Sequence, residues 1–313
     1  MSPRVADVPA SLTIGRTDRL IALRQFPAFA TLAPEDAQAI ADHARETRLS
    51  VGDVLYREDE PIEDVAFIVR GKIRTQRHGK VLGTYGERTV LGSLPILAEL
   101  TDGYGAVAIE PTTAILLPAE EMYEVFEDHF VVVRTALQGL AEGLLTIRRT
   151  MGSGGFERST WEPTREPPPP LDLVGRIAQL RDAMPFAGAR LEALADLARD
   201  VRETRLDAGV QLWSEGDLSD GWYFLLHGEV EVESSSGMST TFGPGDVVGS
   251  LGTLANAPRW YSARAASPVV ALRTDAEALF DVMEDHFDFA MALVRSMARG
   301  FMTLLEQTGL PEG

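Results

Sequence analysis

The chain repeats itself at one fixed spacing, and this limits its fold more than any other feature. Glu46-Thr47-Arg48-Leu49 recurs as Glu203-Thr204-Arg205-Leu206, an offset of 157 (203 − 46). The same offset carries Gly52 onto Gly209, Glu58 onto Glu215, Phe67 onto Phe224 and Gly71 onto Gly228. It also carries Gly92-Ser93-Leu94 onto Gly249-Ser250-Leu251, Tyr104 onto Tyr261, and Glu127-Asp128-His129-Phe130 onto Glu284-Asp285-His286-Phe287. Residues 23–143 align with 180–300 without a gap. A period this long duplicates a whole domain, not one turn of a solenoid, and the 313 residues suit two domains.

Within a copy the hydrophobic period changes twice. Pro34-Glu35-Asp36 reads as a first helical turn, with Ala37, Ile40, Ala41 and Ala44 on one face. Short β-type runs follow at Val54-Leu55-Tyr56, 65–69, Val81-Leu82, Ala108-Ile109 and 113–117, punctuated by glycines. Helical character returns from Ala119 to Arg149. The expected class is mainly β with flanking helices: two tandem β-jelly-roll domains, each ending in a long helix. The boundaries predicted are an N-terminal arm over 1–20, a first domain over 21–150, a Gly/Pro-rich linker over 151–172 and a second domain over 173–313. In the linker, Met151-Gly152-Ser153-Gly154-Gly155 is flexible and Pro167-Pro168-Pro169-Pro170 is a stiff polyproline spacer.

Charge and cysteine content narrow the function. With 29 basic against 47 acidic residues, a net charge of −18, the chain repels a polyanion on average, so nucleic acid is an unlikely partner. The absence of cysteine excludes disulfides, thiolate metal sites and a cysteine nucleophile. No uninterrupted apolar run has the ~18 residues needed to span a bilayer, and the first residues lack the pattern of a secretory signal; a cytoplasmic location is expected. The five histidines are dispersed with no His-x-His pair, and no nucleophile elbow, phosphate loop or dinucleotide fingerprint stands in a suitable context. No metal and no enzymatic activity are expected. In the repeated Glu-Asp-His-Phe, the aspartates suit a cap for the helix that follows.

The second copy holds a stretch that points to a ligand. Gly249-Ser250-Leu251-Gly252-Thr253-Leu254 is followed, after three residues, by Pro258-Arg259. Backbone amides at such a glycine turn can bind an anion, and an arginine ten residues on can close over it. This spacing resembles the phosphate-binding cassette of cyclic-nucleotide-binding domains: Gly249, Leu251, Leu254, Pro258 and Arg259 fall in register, while the family's glutamate is replaced by Ser250. The runs 209–217, 222–232 and 243–249 are also similar to the family's strand–glycine pattern. The resemblance covers 180–309 and extends through the repeat to 23–150. It implies that the cassette amides and Arg259 hold a cyclic phosphate, and that cyclic AMP or cyclic GMP is the cofactor to test in the second domain.

Departures from the family leave alternatives open. Ser250 lacks the reach of glutamate, and a lost charged acceptor costs about 1.5–3 kcal/mol, so binding is weakened or moves to another small anion. Arg259 is either a phosphate anchor or a structural partner of a local carboxylate. Trp260 and Tyr261, where the family has small residues, either stack a base or fill the pocket; Tyr104 at the matching place in the first copy favours filling. In the first copy the arginine position is Asp102, the proline position Thr101, and Arg88 stands for Gly245; no cyclic nucleotide is expected there.

The terminal helices carry a seam. Val133, Leu137, Leu140, Leu144 and Ile147 step by four, three, four and three, and Ala290, Val294, Met297, Phe301 and Leu304 repeat this. As in catabolite-activator-type regulators, which such helices join across a two-fold, an intrachain pseudo-dimer is expected, with a homodimer as a further option. No helix-turn-helix is expected after the last helix. The resemblance therefore implies a regulatory or adaptor protein that binds another protein, under control of a small anion or independently of one.

Overall fold

The computed structural model describes residues 16–30, 32–151, 166–182, 186 and 189–308. Residues 1–15 of the expected arm and 152–165 of the expected linker lie outside them.

The first copy opens with helices α1 (Arg16–Leu23), α2 (Pro27–Ala30) and α3 (Pro34–His43). Strands β1 (Arg45–Leu49), β2 (Val54–Tyr56), β3 (Asp64–Arg70), β4 (Ile73–Arg77), β5 (Lys80–Tyr85) and β6 (Val90–Leu91) follow. A short helix α4 (Ser93–Ala98) leads to β7 (Tyr104–Ala108) and β8 (Thr112–Pro118), then α5 (Ala119–Asp128) and α6 (Phe130–Met151). The second copy runs α7 (Leu173–Asp182), α8 (Leu191–Asp200), β9 (Arg202–Leu206), β10 (Gln211–Trp213), β11 (Trp222–His227) and β12 (Val230–Glu233). It continues β13 (Ser239–Phe242), β14 (Val247–Val248), α9 (Ser250–Leu254), β15 (Ser262–Ala265) and β16 (Val269–Thr274), and ends with α10 (Ala276–Asp285) and α11 (Phe287–Thr308).

Each copy is a jelly roll of two four-stranded antiparallel sheets, in the orders β1-β8-β3-β6 with β2-β7-β4-β5, and β9-β16-β11-β14 with β10-β15-β12-β13. The repeat survives in the register. Arg45 faces Leu116 and Leu49 faces Thr112; 157 residues on, Arg202 faces Arg273 and Leu206 faces Val269. Even the bulges coincide, at Val54/Tyr56 and Gln211/Trp213. Strands β3 and β8 read as nearly unbroken apolar runs because one face lines the roll and the other lies under α3 and α5.

The helical stretch expected from Ala119 to Arg149 breaks at His129, and its counterpart breaks at His286. The histidine carbonyls, not the preceding aspartate side chains, receive the first amides of the long helices: Val132 N donates to His129 O (2.8 Å), and Phe289 N to His286 O (2.9 Å). The His286 ring meets Asp196 of α8 at 2.8 Å.

The chain separates into two compact units, one comprising the first roll with its leading helices and α5, the other Leu97–Leu100 together with His129 onward. The first copy's long helix α6 thus belongs with the second roll. There α6 packs against α11 and against α9. The seam residues Val133, Leu137, Leu140, Leu144, Ile147, Ala290, Val294, Met297 and Leu304 are buried, while Phe301 is half-buried and lies against Gly143. In the same unit the α11 residues Arg295 and Arg299 both pair with Glu99, and Arg299 Nε donates to Ala98 O at 2.8 Å. Among the described residues, α6 is the one helix long and apolar enough to cross a bilayer, and its apolar face is buried inside the protein.

The tetraproline segment is tied to the second roll. Arg205 Nη2 donates to Pro168 O at 2.7 Å, and Leu171 N donates to Glu203 at 2.7 Å.

Candidate ligand site

The site begins with a backbone requirement. Gly249 has φ +90°, and a Cβ there would stand 2.6 Å from Arg259 Nη1 and 3.0 Å from Trp213. Gly92 repeats this with φ +84° and Tyr56 Oη at 2.6 Å. Only glycine combines the left-handed turn with so close an approach. Each glycine then opens a short helix, α9 or α4.

Arg259 lies inside the second roll, 3% exposed. Nη1 donates to Gly249 O (3.2 Å) and Thr253 Oγ1 (3.4 Å), and Nη2 donates to Gly221 O (2.5 Å). Nη2 also meets Asp220 at 3.3 Å, and Asp220 is shared with Arg273. The guanidinium carbon stacks 4.0 Å over the Trp213 ring, a cation–π contact strengthened by burial. Burial lowers the arginine from its ordinary value, opposed by Tyr261 and Asp220; a guanidinium stays charged in any case.

Tyr261 completes the plug. Its buried hydroxyl accepts from Gly249 N at 3.0 Å. Trp213 Nε1 donates to the backbone Tyr261 O at 2.8 Å, which fixes the indole, and the two rings pack with centres 5.9 Å apart. Burial pushes the Tyr261 phenol up to about 12, against the lowering influence of the Gly249 amide and of Arg259 and Arg148. Trp260, also buried, meets Tyr261 edge to face at 4.9 Å.

Beside this plug lies a cavity of about 520 Å³. One wall is Gly249, Ser250, Leu251, Trp260 and Tyr261; facing it are Leu144 and Arg148 of α6 and residues of α11. All six ligand positions expected from the sequence are therefore neighbours: five line the cavity, and Arg259 lies behind Gly249 inside the roll. Sequence reasoning missed Asp220, Gly221 and Thr253 as arginine partners, and Arg148 as a wall residue. Arg148 left one readable signal: its counterpart at the offset is Leu305, a buried apolar position of α11.

The first copy has a different plug. The Tyr56 hydroxyl donates to Asp64 O (3.0 Å) and Leu91 O (3.2 Å), with Tyr104 packed at 6.1 Å between ring centres. Burial raises both phenols well above their ordinary value. Asp102 is exposed, and its carbonyl accepts from Arg77 at 2.9 Å. Arg88 keeps the left-handed turn of Gly245 (φ 64° against 87°), with the same amide bond back to β3 that Gly245 makes to β11.

Two antiparallel rolls, each with a glycine-led short helix and each followed in the chain by a long helix, define a tandem jelly-roll fold. A sequence profile of the cyclic nucleotide-binding domain matches residues 46–129 and 203–286, and the chain belongs to that family. The two matched spans are related by the same offset of 157 (203 − 46). No curated protein matches the chain in sequence.

Among solved structures, the regulatory domain of Toxoplasma gondii PKA with cAMP is similar at 16% identity, covering 89% of this chain and 97% of that one, with a TM-score of 0.33. The N-terminal domain of a transcriptional regulator from Streptomyces coelicolor is 26% identical over 43% of this chain and 99% of that one, with a TM-score of 0.38. The regulatory subunit of a cAMP-independent protein kinase A from Trypanosoma cruzi, bound to guanosine, is 16% identical, covers 99% of both chains and has a TM-score of 0.34.

Proposed function

We propose that this chain is a non-enzymatic cytoplasmic regulatory adaptor whose second domain takes a small anionic ligand, with cyclic AMP and cyclic GMP the first candidates from the family's chemistry. One observation carries this reading: the cavity beside the second cassette is walled by both long helices, α6 from the first copy and α11 from the second. An occupant there touches the pairing of α6 with α11, and on this reading its binding is coupled to the surface a protein partner would meet. A cavity of about 520 Å³ falls in the range of small-ligand pockets. Isothermal calorimetry with cyclic AMP, cyclic GMP, cyclic dinucleotides and adenosine monophosphate tests it. Saturable binding by any of them upholds the ligand-responsive reading, and no heat at millimolar ligand sinks it.

A second reading has its own support. The Tyr261 hydroxyl holds the Gly249 amide and three backbone or side-chain oxygens hold Arg259, which favours a ligand-independent scaffold. On this reading the chain captures one stoichiometric partner equally well with and without nucleotide.

A further inference from the structure

We propose that Pro167–Pro170 is a docking segment for a protein module that reads polyproline through an aromatic-lined groove. This names the kind of partner for the adaptor reading and rests on it; it does not depend on what the cavity holds.

The conformation follows from the residues. Each pyrrolidine ring fixes φ at about −65°, and a residue that precedes proline is pushed out of the α region. Glu166, Pro167, Pro168 and Pro169 all precede a proline, and the peptide bonds of the run are trans. The result is a polyproline II helix of about three residues per turn. Exposure follows that period: Pro168 and Leu171 are half-buried, whereas Glu166, Pro167, Pro169 and Pro170 are exposed.

The second roll holds the segment in this form. Two side chains of the edge strand β9 fasten it: Arg205 Nη2 donates to Pro168 O at 2.7 Å, and Glu203 accepts from Leu171 N at 2.7 Å. Both fastenings fall on the inward ridge of Pro168 and Leu171. Arg205 and Glu203 also pair with each other at 2.8 Å. Just beyond, Asp172 Oδ1 accepts from Gly175 N at 2.8 Å at the start of α7. Pro167 and Pro170 are left on one outward ridge, one turn apart. The offset of 157 carries the run back onto Ala10-Ser11-Leu12-Thr13, so the outward prolines belong to the second copy alone.

The chemistry selects the partner. Four successive prolines offer no N–H, so the segment cannot join a sheet by strand addition. It presents flat apolar rings and carbonyl acceptors. A groove that fits supplies aromatic faces to the rings and side-chain N–H or O–H donors to the carbonyls, as tryptophan and tyrosine do. Because the segment is ordered beforehand, docking costs little conformational entropy. Glu166 and Asp172, both exposed, place carboxylates at the two ends of the run, and a basic rim complements them.

The test is calorimetry on the full chain with purified SH3, WW and EVH1 domains as separate probes. At least one is expected to bind saturably at one site per chain, and a free polyproline peptide should displace it. The double variant Pro167→Ala/Pro170→Ala removes the outward pair and should weaken that binding by at least about tenfold. Leu218→Ala, at an apolar residue 85% exposed elsewhere on the same roll, is the control and should bind as the wild type does. Both variants change exposed side chains, and thermal melts establish that they fold. No binding by any of the probes at millimolar concentration overturns the docking segment while leaving the adaptor reading to other surfaces. Binding that survives unchanged in the proline variant overturns it too, as does an equal loss in Leu218→Ala.

Discussion

The hydroxyl of Tyr261 sits 3.0 Å from the backbone nitrogen of Gly249 and accepts its hydrogen bond, where the family's cassette would present that amide to a phosphate. A buried N–H must be satisfied by something, and here a side chain does it permanently. Tyr261→Phe keeps the ring and orphans the amide. The expected result is a loss of about 1–3 kcal/mol in chemical denaturation. An unchanged midpoint would mean the bond contributes nothing to the fold.

Arg259 is a structural cation in this arrangement, so its removal should register as stability before it registers as affinity. Arg259→Ala leaves Gly249 O and Gly221 O without their charged donor and strips the Trp213 face. The expected loss is about 2–4 kcal/mol in urea unfolding. Arg259→Lys should recover little, since a single ammonium cannot span both carbonyls as the planar fork does. A lysine variant as stable as the wild type would argue for a simple charge effect.

Two glycines in α6 should respond oppositely to alanine. A Cβ at Gly139 meets nothing within 4 Å, whereas at Gly143 it would stand 2.4 Å from Cε1 of Phe301 on α11. Gly139→Ala is expected to stabilise by up to ~1 kcal/mol through helix propensity alone. At Gly143 the same gain is opposed by an overpacking cost of about 1–3 kcal/mol as the Phe301 ring is displaced. Equal melting shifts in the two variants would contradict the packing of α6 on α11.

Asp196 gives a pH signature. Its carboxyl is held below the ordinary aspartate value of 3.8, first by the hydrogen bond to His286 and further by Arg199. A lowered folded-state value stabilises the protein above the unfolded value, and that contribution is lost as the pH falls through the lowered one. The wild-type chain should therefore exceed Asp196→Asn in urea midpoint at neutral pH. The gap should close below about pH 4. A constant gap across pH 7 to 3 would remove the electrostatic explanation.

The neighbourhood of the candidate site was partly legible in the sequence. Gly249, Ser250, Leu251, Trp260 and Tyr261 do converge, because the glycine turn and short helix are local features written in adjacent residues. Tyr104 at the same place in the first copy pointed to a packing role for Tyr261, whose buried hydroxyl accepts from Gly249 N. What stayed hidden depended on distant partners: Gly221 and Asp220 precede Arg259 by 38 and 39 residues, and no spacing rule joins them.

By itself the sequence determined the duplication, the two rolls and the location of the cassettes. Those follow from hydrophobic period, glycine punctuation and an offset that even the strand register obeys. Only the tertiary structure decided what the arginines do. A guanidinium ten residues after Gly249 serves a ligand or the roll's own carbonyls according to the oxygens brought beside it. Long-range folding brought Gly221, Asp220 and Trp213 to Arg259, and carried Arg148 from the other copy to the cavity that Arg259 does not line.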